Sequence, residues 1–131
     1  MQYSVPVRNA KLNAIEAIVG PSPILKVFDG AKPANCAAAD AGTVISTIQL
    51  PPDWMADAAN GSKAKSGTWQ DAAADANGEA KYFRIYDQTG ANCGIQGTCG
   101  LLAADMLMDS IQFTAGQNFT VIGFTISDNN G

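Results

Sequence analysis

A chain of 131 residues with 8 Lys and Arg, 12 Asp and Glu, no histidine and only 15% charged residues has a formal net charge of −4. Its length suits one domain, which removes about two-thirds of its unfolded surface from water and leaves no room for a second. The missing imidazole excludes Ser-His and Cys-His nucleophiles and every zinc site that needs a His ligand.

The first element is a helix over residues 4–19. Ser4 caps it, Pro6 sits in the first turn where amides are unpaired in any case, and Leu12, Ile15, Ile18 and Val19 recur at spacings of three and four. Gly20-Pro21 ends it. Arg8, Lys11 and Glu16 lie off the apolar stripe, so one narrow face is expected to pack on the chain's own sheet or on a neighbouring subunit. Ile24 to Phe28 is a short strand ended by Asp29-Gly30, and an alanine-rich loop over 31–42 follows, with Pro33, Asn35, Asp40 and Gly42 as turn formers. Thr43 to Leu50 is a β-branched strand broken by Pro51-Pro52, and Asp53 is placed to cap a helical turn through Trp54, Met55 and Ala56.

A long small-residue loop region is expected over 57–80, with Trp69 as its single large apolar side chain, so Thr68-Trp69-Gln70 reads as a short strand anchored by its indole in the core. Ala80 to Asp87 is the clearest strand, with Phe83 and Ile85 towards the core and Tyr82, Arg84 and Tyr86 on the other face. That second row is either a stacked cross-strand array or a contact patch, because Tyr and Arg are enriched at interface hot spots. After the turn Gln88-Thr89-Gly90, residues 91–97 pair back as a hairpin with Cys93 and Ile95 on one face. Leu101 to Asp109 has neither clean period and is expected to be a strand. Phe119 to Ser127 closes the series with Ile122, Phe124 and Ile126 on one face. The implied fold is mainly β: a single antiparallel β-sandwich over 23–127, Ig-like or jelly-roll-like with about seven or eight strands, plus one N-terminal α-helix, all in one domain over 1–131.

Chemistry has little to work with. Asp71 and Asp75 could share a helical face and act as paired carboxylates, but the alanines between them suit a loop equally well. No Gly-rich phosphate loop, calcium loop or complete metal-ligand set is present, so no catalytic residue, no cofactor and no metal is expected and the chain reads as non-enzymatic. Every Lys and Arg lies at or before Arg84, and Asp87, Asp105, Asp109 and Asp128 carry the whole net charge, so a phosphate backbone finds no basic stripe to displace its counterions. No apolar run is long enough to span a membrane, and the first residues lack the pattern of a signal peptide, so cytosolic synthesis is expected. Cys36, Cys93 and Cys99 are an odd number; buried thiols are the leading reading and a Cys93–Cys99 crosslink the next.

Taken together, the run from Phe28 through Asp29, Gly30, Pro33, Asn35, Cys36, Asp40 and Gly42 to Val44, then Leu50-Pro51-Pro52-Asp53-Trp54-Met55, Ser66-Gly67-Thr68-Trp69, Gly78 to Asp87, and Asp109 to Val121 with Phe124-Thr125-Ile126, resembles a family of small virion structural proteins of tailed bacteriophages. The resemblance spans residues 5–127 and departs at Cys99 to Met106, where Leu101-Leu102-Ala103-Ala104 stands in place of a glycine-rich turn. It implies a virion protein made in the host bacterial cytoplasm. The role expected first is a capsid cement or decoration protein, a homo-oligomer and preferably a trimer, bound to the major capsid protein. The contact residues expected for it are Tyr82, Arg84 and Tyr86 with Leu12, Ile15 and Ile18 of the helix. A neck, tail or fibre-attachment adaptor is the alternative. A carbohydrate-binding module stacking sugars on Trp54, Trp69, Tyr82 and Tyr86 is a third.

Overall fold

Ser4 opens the helix as its side chain allows: the backbone there is extended and the hydroxyl accepts from the Val7 amide. In the computed structural model, which describes residues 1–131, helix α1 (Val5–Val19) is followed by β1 (Ile24–Asp29), β2 (Val44–Gln49), β3 (Ser62–Ala64), β4 (Trp69–Asp71), β5 (Gly78–Tyr86), β6 (Cys93–Gly100), β7 (Met106–Met108), β8 (Gln112–Phe113) and β9 (Phe119–Ser127). The strands form one curled sheet in the order β2-β1-β5-β6-β7-β9-β3, with β4 added to β9 and β8 to β5. The chain is therefore mainly β with one helix. An antiparallel-only sheet is not what forms, because β7 runs parallel to β6, with Cys99 opposite Met106.

That parallel pair is unexpected because parallel neighbours ordinarily need a crossover of about a dozen residues or more. Here Leu101 to Asp105 coils back in a tight loop with Ala103 in the left-handed region at φ 52°. The Asp105 carboxylate then accepts from the Thr98 amide at 2.9 Å and from its hydroxyl at 3.1 Å, which pins the loop to β6. The strand expected over Leu101 to Asp109 accordingly shrinks to Met106–Met108.

The core lies inside the curl. Leu25, Val27, Ile45, Phe83 and Ile85 from one side meet Trp69, Met106, Met108, Phe119, Val121 and Phe124 from the other. Phe83 and Phe124 touch edge to face with ring centroids 5.5 Å apart, and Trp69 lies against both Trp54 and Phe124. Trp69 is thus the anchor its isolation in a polar segment suggests. Residues 57–80 are not one long loop, since β3, β4 and the start of β5 lie within them. The helical turn expected at Asp53 is absent: Trp54 and Met55 are both drawn into the core and Met55 bridges to Lys65.

Two bulges re-aim side chains that strict alternation misplaces. Tyr86 pairs with Cys93 and Ile85 with Ile95, so the extra residue, Gly94, puts Cys93 and Ile95 on opposite faces and not on a shared one. A Cβ on Gly94 would lie 2.7 Å from the Val19 side chain, so the glycine also lets the end of α1 close on β6. In β9 the register slips between Val121 and Gly123, which sends Ile122 out to solvent while Phe124 stays inside.

The outer edge of β2 does not stay open. Asp75 donates its amide to the Ile45 carbonyl at 2.9 Å, Thr47 Oγ1 donates to Asp75 Oδ2 at 2.8 Å, and Ser46 Oγ donates to Asp71 Oδ2. The two ends of the sheet thereby meet along a polar seam, and an edge that could template aggregation is covered.

Candidate functional site

The row Tyr82–Arg84–Tyr86 on β5 faces away from the core, and the chain's own loop covers it. That loop leaves β1 at Gly30 and re-enters β2 through Gly42, and its neck is narrow: a Cβ on Gly42 would lie 2.2 Å from the Asp29 carbonyl oxygen, and φ is 105° at Gly30 and 78° at Gly42. Only glycine meets both demands without strain, and the result is a compact Ω-type loop folded over the sheet. Asn35 shapes it by accepting from the Ala37 and Ala38 amides.

Arg84 is the centre of this lid, with 2% of its surface exposed. Its guanidinium donates to Asp40 Oδ1 at 2.8 Å, to the Asn35 carbonyl at 3.0 Å and twice to Gln96 Oε1 at 3.0 and 3.1 Å. Gln96 in turn donates to the Pro33 carbonyl at 2.8 Å. Tyr82 Oη donates to the Ala41 carbonyl and accepts from the Ala41 amide, while its ring stacks on Phe28 at 4.7 Å. Tyr86 Oη donates to Asp40 Oδ1. Burial raises the hydroxyl pKa of Tyr82 and Tyr86, and for Tyr86 the bond to the Asp40 carboxylate raises it further. The three residues expected as a contact patch are therefore spent inside the chain, in a buried polar network that the loop completes.

Cys93, turned to the same side by the Gly94 bulge, has its Sγ 2.8 Å from Cys36 Sγ in the loop. Burial, and then the neighbouring Cys36 thiol, push the Cys93 pKa up to about 12. A Cys93–Cys99 crosslink is overturned by geometry. Both residues sit on β6 (Cys93–Gly100), and six residues along a strand span about 20 Å. Burial likewise raises Cys99 to about 12, with the Asp105 carboxylate adding to it.

The helix residues separate onto two faces. Leu12 and Val19 are buried against the sheet, and Ile15 is half-buried, so Leu12 serves the chain's own packing and not a partner. Glu16 holds Lys63, whose buried ammonium lies 3.1 Å from Glu16 Oε1 and donates to Asn13 Oδ1 and the Ala56 carbonyl, each at 2.8 Å. Ile18 points the other way and is 84% exposed. With Val7, Ala10, Ala14 and Ala17, all exposed, it makes an apolar strip at spacings of three and four along the solvent side of α1, bordered by Lys11, which pairs with Asp128. The alanines give this face little hydrophobic signal in the sequence, where only Ile18 and Val7 stand out.

Beside the helix, β6 and β9 splay apart beyond the short β7. The cleft between them, about 410 Å³, is lined by Ile15, Ile95, Phe124 and Ile126 with Gln96 and Asp105 at its rim. Three carboxylates outside it are held by hydrogen bonds within the chain. Asp71 accepts from Ser46 and the Ala73 amide, Asp75 from Thr47, and Asp87 from Thr89 and Asn92. Asp71 and Asp75 hold the seam to β2 and do not converge on an open cavity. Trp54, Trp69, Tyr82 and Tyr86 are all buried, so none of these four offers a sugar ring a solvent-facing platform. No group of three or more Cys, Asp or Glu side chains is placed to hold a metal ion, and no helix is long and apolar enough to cross a membrane. Comparison of the chain with family models, with curated proteins and with solved structures finds no match.

Proposed function

We propose that the chain is a non-catalytic structural protein of a tailed-bacteriophage virion, a cement or decoration protein seated on the major-capsid lattice as a small oligomer, a trimer. The observation that carries this reading is the solvent face of α1, where Ile18, Val7 and three alanines form an apolar strip whose one bordering charge, Lys11, is paired with Asp128. A strip of this kind costs little to desolvate, and repeated over many copies on a lattice even a weak contact becomes effective. The sequence resemblance over 5–127 supports the same reading. The contact residues are revised with it: Ile18 stays, joined by Val7 and Ala14, and the Tyr82–Arg84–Tyr86 row is left out. As part of this proposal the curled sheet is described as a sandwich, with β2-β1-β5-β6 as one layer and β7-β9-β3 with β4 as the other.

Quantitative mass spectrometry of purified particles tests it. A ratio to the major capsid protein near one, or a simple fraction such as one-third, is the expected result, together with loss of particle binding in Ile18→Asp. A ratio near one per several dozen capsid subunits rejects cement and favours the neck or tail adaptor. Absence from particles rejects both.

A further inference from the structure

The loop that covers Arg84 touches the sheet through polar contacts and through one pair of thiols. Cys36 sits in that loop and Cys93 at the start of β6, with their sulfurs 2.8 Å apart and both residues partly accessible. No other cysteine competes, because Cys99 lies at the far end of β6 beside Met106. We propose that Cys36 and Cys93 are a redox pair whose disulfide locks the 30–42 loop over the Tyr82–Arg84–Tyr86 row.

A disulfide bond is about 2.05 Å long, so closing it asks the loop for a shift of less than about 1 Å. The oxidant is a low-molecular-weight disulfide. The Cys36 thiolate attacks one of its sulfurs, releases one small thiol and leaves a mixed disulfide on Cys36. The Cys93 sulfur, giving its proton to water, then attacks Cys36 Sγ and releases the second small thiol. Two protein thiols are oxidised to one disulfide and one small disulfide is reduced to two thiols. In a reducing cytoplasm the pair rests as a dithiol and the loop is held by its hydrogen bonds; in an oxidising medium the same pair becomes a staple. The bond joins residues 57 apart in sequence, so it removes much freedom from the unfolded chain and leaves the folded loop almost where it was.

The full chain is incubated with glutathione disulfide, with and without a later excess of phosphine reductant, and followed by intact mass, thiol titration and peptide mapping. The expected result is a mass lower by two hydrogens, one titratable thiol remaining in the unfolded chain, and a Cys36–Cys93 crosslinked peptide. Tm rises by roughly 10 °C, reverts on reduction, and does so in Cys99→Ser but not in Cys36→Ser or Cys93→Ser. Three thiols surviving oxidation, a crosslink that includes Cys99, or a stable glutathione adduct on Cys36 that Cys93 does not resolve would each overturn the proposal. The Cys36→Ser variant, which keeps every hydrogen bond of the Arg84 network, shows whether any loss of Tm comes from the bond or from misfolding.

Discussion

Arg84 illustrates how much one side chain can organise when its three partners come from two separate segments. Asp40 and Asn35 belong to the loop and Gln96 to β6, and only a planar fork with several fixed donors reaches all of them. Lysine carries the same charge as a single point, so Arg84→Lys is expected to lose about 2 kcal/mol in denaturant unfolding despite conserving charge, because buried acceptors are left without donors. The tyrosines beside it set a different limit. Their folded-state pKa values lie above the unfolded value of about 10, so the folded chain keeps those protons longer than the unfolded one. Their contribution is therefore complete below about pH 10 and falls as pH rises beyond it. Thermal unfolding scanned from pH 8 to 11 should show this alkaline decline, and Tyr86→Phe should flatten it; an unchanged slope in that variant would remove Tyr86 from the cause.

At the scale of elements, α1 has two faces with different work. Its inner face closes the opening where β6 and β9 diverge, through Leu12, Val19 and the Glu16–Lys63 pair. Its outer face contributes almost nothing to folding, so the Ile18→Asp change that should abolish particle binding is expected to alter stability by no more than about 0.5 kcal/mol. The contrast makes the variant informative, since lost binding with an unchanged unfolding midpoint points to the surface itself. The strands show why alternation alone misleads. Cys93, Ile95 and Ile122 each lie next to a bulge, and a single inserted residue turns every following side chain to the opposite face.

The whole molecule depends on joining its two ends. β2 and the 71–75 segment meet along hydrogen bonds from Ser46, Thr47 and the Asp75 amide, and these carboxylates are what the edge of β2 has in place of another strand. Asp71→Ala combined with Asp75→Ala is expected to lower unfolding stability by about 2 kcal/mol and to raise light scattering at high protein concentration as the β2 edge becomes available. A monodisperse double variant with unchanged midpoint would show that the seam is ornamental.

Much of this fold was legible along the chain because it follows from neighbouring residues. Ser4, Pro6 and Gly20 bound the helix, Phe83 and Ile85 name the core face of β5, and Trp69 stands alone in a polar stretch that must be anchored somewhere. Those signals act over a few residues and need no partner to be read. Tertiary structure alone decided the rest: the parallel β6–β7 pair held by Asp105 and Thr98, the meeting of Cys36 with Cys93, and the covering of Arg84 by Asp40 and Asn35. Apart from the Asp105–Thr98 clasp, each joins residues far apart in sequence, and which distant residues meet is set by sheet curvature, bulges and loop closure, to which local propensity and hydrophobic period carry no information.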